Sequence, residues 1–160
     1  MDIASEIRAR LADEWIGTIY KQKVRSQRTR ALKLEVPERE NQADIQYTLL
    51  GIELKVGKRR FACPDLAAAR YMRVFARIGC REFALPYDIT QISAAADELE
   101  TSWQRCLLLL KESTSGRPTR GEAQARSKLV KLMRSDLNEI GAGDIMPLFD
   151  RATRQRKNTD

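Results

Sequence analysis

The stretch "DIQYTLLGIELKVGKRRFAC", residues 44–63, decides how the chain folds. Ile45, Tyr47 and Leu49 fall on one parity, and Ile52, Leu54 and Val56 fall on the other after Gly51. Apolar residues at every second position mark a half-buried strand, and a glycine at a parity slip marks a bulge or a tight turn. The two alternatives differ in consequence. A single bent strand keeps Asp44 and Glu53 about 30 Å apart at about 3.3 Å per residue. A hairpin turning near Leu50-Gly51 brings them together. "VGKR" at 56–59 reads as a further hairpin turn, with a strand at "RRFAC" beyond it.

Upstream, "ALKLEV" at 31–36 alternates Leu32, Leu34 and Val36 against Lys33 and Glu35, so a strand is expected there, ended by Pro37. Before it, Ile3, Ile7, Leu11, Trp15 and Ile19 recur every four residues and predict one helix from Ile3 to about Val24, capped by Asp2. Its end is basic: Lys21, Lys23, Arg25, Arg28 and Arg30 occur with no acid among them.

Downstream, Asp65 caps a helix over Leu66–Ile78 that Gly79 stops. Ala68, Tyr71, Met72, Phe75 and Ile78 share its apolar face, and Arg70, Arg73 and Arg77 form a stripe opposite. "REFALP" at 81–86 is a short strand. Asp88 and Gln91 resemble a capping box for a long helix in which Ile89, Ile92, Ala96, Leu99, Trp103, Cys106 and Leu110 step by three and four. That seam fits either simple core packing or a coiled-coil contact. Thr119 and Glu122 form another capping-box match before a last helix, ending at Gly141, whose inward residues include Leu129, Met133 and Leu137.

The order is helix, three or four antiparallel strands in a meander, helix, strand, then two helices, an α+β fold. A helix joining the strands near Phe61 and Phe83 predicts parallel pairing between them through a right-handed crossover. The chain divides into a core at 1–112, a linker at 113–121, a C-terminal helix with an apolar clip "DIMPLF" at 122–150, and a basic tail at 151–160.

Composition limits the chemistry. The 160 residues contain no histidine, which removes His-based acid–base catalysis, Ser-His and Cys-His nucleophile pairs and most zinc sites. Cys63, Cys80 and Cys106 form no CxxC and leave one over, so reduced thiols in a cytoplasmic protein are expected. Cys63, next to a helix start, reads as a buried structural thiol rather than a reactive one. No segment reads as a signal core or a membrane span. There is no P-loop and no GxGxxG. Net charge is +7, with a pI of about 9.6, which favours acidic partners and nucleic acid first among them.

An Asp followed on a neighbouring strand by Glu-x-Lys is a pattern that holds a divalent metal beside a phosphodiester, because residues i and i+2 of a strand share a face. Asp44, Glu53 and Lys55 follow it, and with the element order over residues 1–86 the chain resembles the PD-(D/E)xK nuclease core. The resemblance implies Mg or Mn held by Asp44 and Glu53, with Lys55 at the attacking water and Glu6 or Glu14 of the first helix assisting. The plain alternative is a strand with an exposed charged face, and no cofactor.

The broader signal is basic clusters: Arg70, Arg73 and Arg77, then Lys58, Arg59 and Arg60 at a hairpin tip, the Lys21–Arg30 run, and Lys128, Lys131 and Arg134. Such clusters bind phosphates. The aromatic residues are few and sit mostly at inward positions, which argues against a stacking platform for single strands. The leading expectation is therefore a non-enzymatic accessory protein that binds nucleic acid through Arg70, Arg73, Arg77, Lys58, Arg59 and Arg60. Two alternatives stand beside it. One is an assembly factor using helix 89–110 and segment 144–149 on a protein partner or on itself, with no membrane contact. The other is the metal-dependent nuclease.

Overall fold

The computed structural model describes residues 2–143. It settles the fork at Gly51 in favour of a hairpin. Strand β2 (Ala43–Thr48) and strand β3 (Gly51–Val56) pair antiparallel, from Ala43 opposite Val56 to Thr48 opposite Gly51. Leu49 and Leu50 make the turn, and Gly51 takes the positive φ of 124° that a leucine would resist. Strand β4 (Arg59–Cys63) pairs with the other side of β3, giving the order β2-β3-β4. Ala43, Leu54, Val56 and Cys63 lie on the buried face, while Asp44, Glu53, Lys55 and Arg60 lie on the other.

Strand β1 (Thr29–Lys33) stands outside this meander. It pairs antiparallel with β5 (Glu82–Pro86) in a separate two-stranded sheet, with Leu32 opposite Phe83. The expected parallel pairing of the Phe61 and Phe83 strands is therefore corrected. The crossover rule holds only for strands of one sheet, and here the N-terminal strand takes β5 instead. The strand expected over 31–36 also shifts to 29–33. Leu34 and Val36 stay buried beyond its end, and the Leu34 amide donates to the Arg81 carbonyl at 2.8 Å.

The expected continuous helix over 3–24 is broken. Helix α1 (Ile3–Leu11) is capped by Asp2, whose carboxylate accepts from the Ser5 amide at 2.9 Å. Ala12 then adopts φ 47°, ψ −110°, a 3₁₀ turn covers Ala12–Glu14, and Trp15 is extended. Helix α2 (Ile16–Ile19) passes into a π turn over Tyr20–Val24. The cause is visible in the pattern: a spacing of four drifts about 40° per step at about 100° per residue, so an unbroken helix would turn its later apolar residues away from the core. The break re-aims Trp15, Ile16 and Tyr20 inward, and all three are buried.

Helix α3 (Leu66–Ile78), capped by Asp65 and ended by Gly79, lies on the buried face of the meander. Tyr20, Tyr71, Phe75 and Phe83 meet at the junction of the two sheets, with Phe75 and Phe83 stacked at 4.1 Å. The Tyr20 hydroxyl accepts from the Ala84 amide and donates to the Gly141 carbonyl, both at 2.8 Å. Helices α4 (Ile89–Ser113) and α5 (Thr119–Ile140) complete the domain. Asp88 caps α4 through the Thr90 amide, but α5 has Pro118 at its cap position and no side-chain cap, so the Thr119–Glu122 box does not form. Among the described residues no helix is long and apolar enough to cross a membrane.

Candidate interaction surface

The hairpin brings the three residues of the metal pattern onto one face. Asp44 lies directly opposite Lys55, and Glu53 lies opposite Gln46, one diagonal step from Asp44. That diagonal is roughly 7–8 Å between Cα atoms. The Glu53 carboxylate is engaged by Arg60, at 3.6 Å, and its Oε1 is shut off from solvent with no hydrogen bond. Glu6 and Glu14 are exposed on the N-terminal segment, and Glu14 pairs with Arg105 of α4. Among the described residues, no group of three carboxylate, cysteine or histidine side chains converges to hold a metal.

The arginine stripe of α3 faces α4 rather than open solvent. Arg70 pairs with Asp97 and, at 2.9 Å, with Glu100; Arg73 takes the other oxygen of Glu100 at 3.0 Å. The Glu100 bond, followed by that of Asp97, raises the pKa of Arg70. Arg77 is half-buried; burial, then the neighbouring Arg73, lowers its pKa. It lines a cleft of about 540 Å³ with Asp44, Trp103 and Gln104. At the β3–β4 turn, Arg59 pairs with Glu35 at 3.0 Å and Arg60 with Glu53, while Lys58 has no carboxylate partner among the described residues. The Cys63 thiol is pushed up by burial, and Asp65 adds to the shift, so the thiol is not activated.

The heptad seam of α4 is core. Ile92, Ala96, Leu99, Trp103, Cys106 and Leu110 are all buried within the chain, and only Ile89 at the first position stands out, 73% exposed. Segment 144–149 and tail 151–160 lie outside the described residues.

What sequence reading left open is the turn between β2 and β3, and what it missed is how far that turn exposes its leucines. Leu49 is 107% exposed and Leu50 is 96% exposed, with Tyr47 beside them at 71%. Two-residue turns favour Asn, Asp and Gly, whose backbones and side chains suit the turn, so adjacent leucines have no conformational reason to be there. The signal was present as "TLLG", but it reads as turn only once the strand is known to reverse. β2 is also an edge strand, whose outer backbone groups meet no other strand among the described residues. The opposite edge, β4, carries Arg59 and Arg60 and is followed by Pro64, the usual guards against strand pairing; β2 carries no Lys, Arg or Pro.

No family model, curated protein or solved structure matches the chain.

Proposed function

We propose that the chain is a non-enzymatic interaction domain that docks a protein partner through the tip and outer edge of the β2–β3 hairpin. The observation that carries this reading is the pair Leu49 and Leu50, both fully in solvent at a turn that needs neither. A single exposed leucine needs no explanation, but a contiguous apolar tip beside Tyr47 is the composition of a contact surface. The test compares proteins retained by immobilised wild type, by Leu49→Ser/Leu50→Ser and by Lys58→Ala/Arg59→Ala/Arg60→Ala, all after nuclease treatment. Loss of specific partners in the leucine variant alone supports the reading. Retention by the leucine variant overturns it.

A second reading keeps nucleic acid as the partner, and the free cations favour it. Lys21, Lys23, Arg30, Lys33, Lys55 and Lys58 have no carboxylate partner among the described residues. Phosphate contact would then run through the lysine-rich β3–β4 end, because Asp97 and Glu100 already neutralise much of the α3 stripe. Retention of duplex DNA or RNA that weakens steeply with salt, and that Lys58→Ala/Arg59→Ala/Arg60→Ala removes, would establish it.

A further inference from the structure

We infer that the partner of the β2–β3 hairpin is a second copy of this chain, joined edge to edge through β2 about a two-fold axis at Gln46. This rests on the interaction reading above and names the occupant of that surface.

The first support is the unequal edges of the meander. β4 is guarded by cations and Pro64, whereas β2 offers a six-residue edge with Asp44 as its only charge. The second is register. A two-fold axis perpendicular to a sheet runs between the two strands, midway between one residue and its own copy, because directly opposed residues share a face. Centred on Gln46, it places Ile45 opposite Tyr47 of the other copy and Asp44 opposite Thr48. Ile45 and Tyr47 lie on the same face as the buried Leu54 row. An aromatic opposite a β-branched residue is a favourable cross-strand pair, and no like charges face each other. Asp44–Thr48 are then paired within the strand, and Ala43 falls opposite the turn residue Leu49.

The third support is what lies at the two ends of β2. One end carries the protruding Leu49-Leu50 tip. The other opens on the cleft of about 540 Å³ beside Ala43, bordered by Trp103 and Gln104. In the Gln46-centred register, Leu49 of one copy falls opposite Ala43 of the other, at the mouth of that cleft. The charges there balance: Glu40 binds Arg126 at 2.6 Å, and Asp44 and Arg77 both line the cleft. The cleft lining is mostly polar, with Trp103 its one large apolar side chain, but its charges balance and leave little net charge there, although the chain as a whole is at +7. Tip and cleft occupy opposite ends of one strand, so they satisfy each other twice over only across a two-fold axis. That geometry selects a second copy over an unrelated protein.

The experiment is light scattering on the full chain over a dilution series, with wild type, Leu49→Asp/Leu50→Asp, and Gln46→Cys. Wild type should rise from 18.3 kDa toward twice that mass. The leucine variant, whose changes are at exposed positions and whose folding is checked by circular dichroism, should self-associate at least roughly tenfold more weakly. The three native cysteines are buried, so a covalent dimer of Gln46→Cys under mild oxidation, absent from a Lys131→Cys control, reports residue 46 facing itself. A leucine variant that dimerises like wild type, or a Gln46→Cys protein that links no better than the control, overturns the inference. So does a larger species that nuclease treatment dissolves. A monomeric wild type that still holds a different protein through Leu49 and Leu50 overturns the second copy and leaves the interaction domain standing. A monomer with no leucine-dependent partner overturns both.

Discussion

Trp15 and Asp136, 121 residues apart in the chain, are joined by a 2.8 Å hydrogen bond from the indole Nε1 to a carboxylate oxygen. Arg8 adds an ion pair to the same carboxylate at 3.3 Å. The bond ties the break after α1 to the last helix. Gly17 permits the approach: a Cβ there would meet Trp15 Nε1 at 3.1 Å and Asp136 Cβ at 3.3 Å.

Asp136→Ala should therefore destabilise the domain by about 1–3 kcal/mol, since the buried indole N–H loses its acceptor. Thermal unfolding followed by circular dichroism measures this. A conservative Asp136→Asn change, which keeps an acceptor oxygen, should recover part of the loss. An unchanged midpoint for Asp136→Ala would show that the Trp15 contact does not hold the N-terminal segment in place.

Gly79→Ala should be among the most damaging single changes. Gly79 has φ 88°, and a Cβ would fall against the Arg39 backbone, 2.6 Å from its amide nitrogen, with the carbonyl closer still. The contact is with backbone, which cannot turn aside, and the chain at Arg39–Asn41 is held by bonds to Pro37, Ala76 and Arg77. A loss of several kcal/mol is expected from strain and overlap together. Gly57→Ala is the matched control, because Gly57 also has a positive φ, of 61°, but nothing lies within 4 Å. Urea midpoints of the two variants should differ clearly.

Glu100→Ala should release the α3 stripe. It removes the shared partner of Arg70 and Arg73, leaving Arg70 with Asp97. If phosphate contact uses this helix, retention on heparin should increase in the variant and Arg70→Ala/Arg73→Ala/Arg77→Ala should reduce it. If contact runs through the β3–β4 turn, Lys58→Ala/Arg59→Ala/Arg60→Ala should instead lower the salt needed for elution.

Stability should decline in alkali. Burial pushes the Cys80 and Cys106 thiols up from 9.0 to about 12, and Tyr20 up from 10.0 to about 12. These groups stay protonated when folded and ionise first in the unfolded chain. Their contribution is fully present below pH 9 and is lost as pH climbs from 9 toward 12. Urea midpoints at pH 8 and pH 10.5 should show the fall, and Cys80→Ala/Cys106→Ala should flatten the slope between them even though it lowers stability overall. An equal slope in the variant would mean that other groups govern the alkaline limit.

The local order of elements was legible in the residues because each depends on nearest neighbours. The 3.6-residue period set α3 and α4, Asp65 and Asp88 capped them, Gly79 stopped α3, and alternation marked the strands. The basic composition was equally plain. Tertiary packing decided what those signals could not carry. Whether residues 44–56 bend or reverse depends on α3 covering Leu54 and Val56. Whether β5 joins β4 or β1 depends on the aromatic cluster of Tyr20, Tyr71, Phe75 and Phe83, drawn from three distant segments. The fate of Arg70 and Arg73 was set by Glu100, 30 and 27 residues further along the chain. A pattern in sequence fixes which side of an element is apolar or charged; only the fold determines what stands against that side. For this chain that difference turned an arginine stripe into a helix–helix bridge and a leucine pair in a strand-like run into the most exposed apolar point among the described residues.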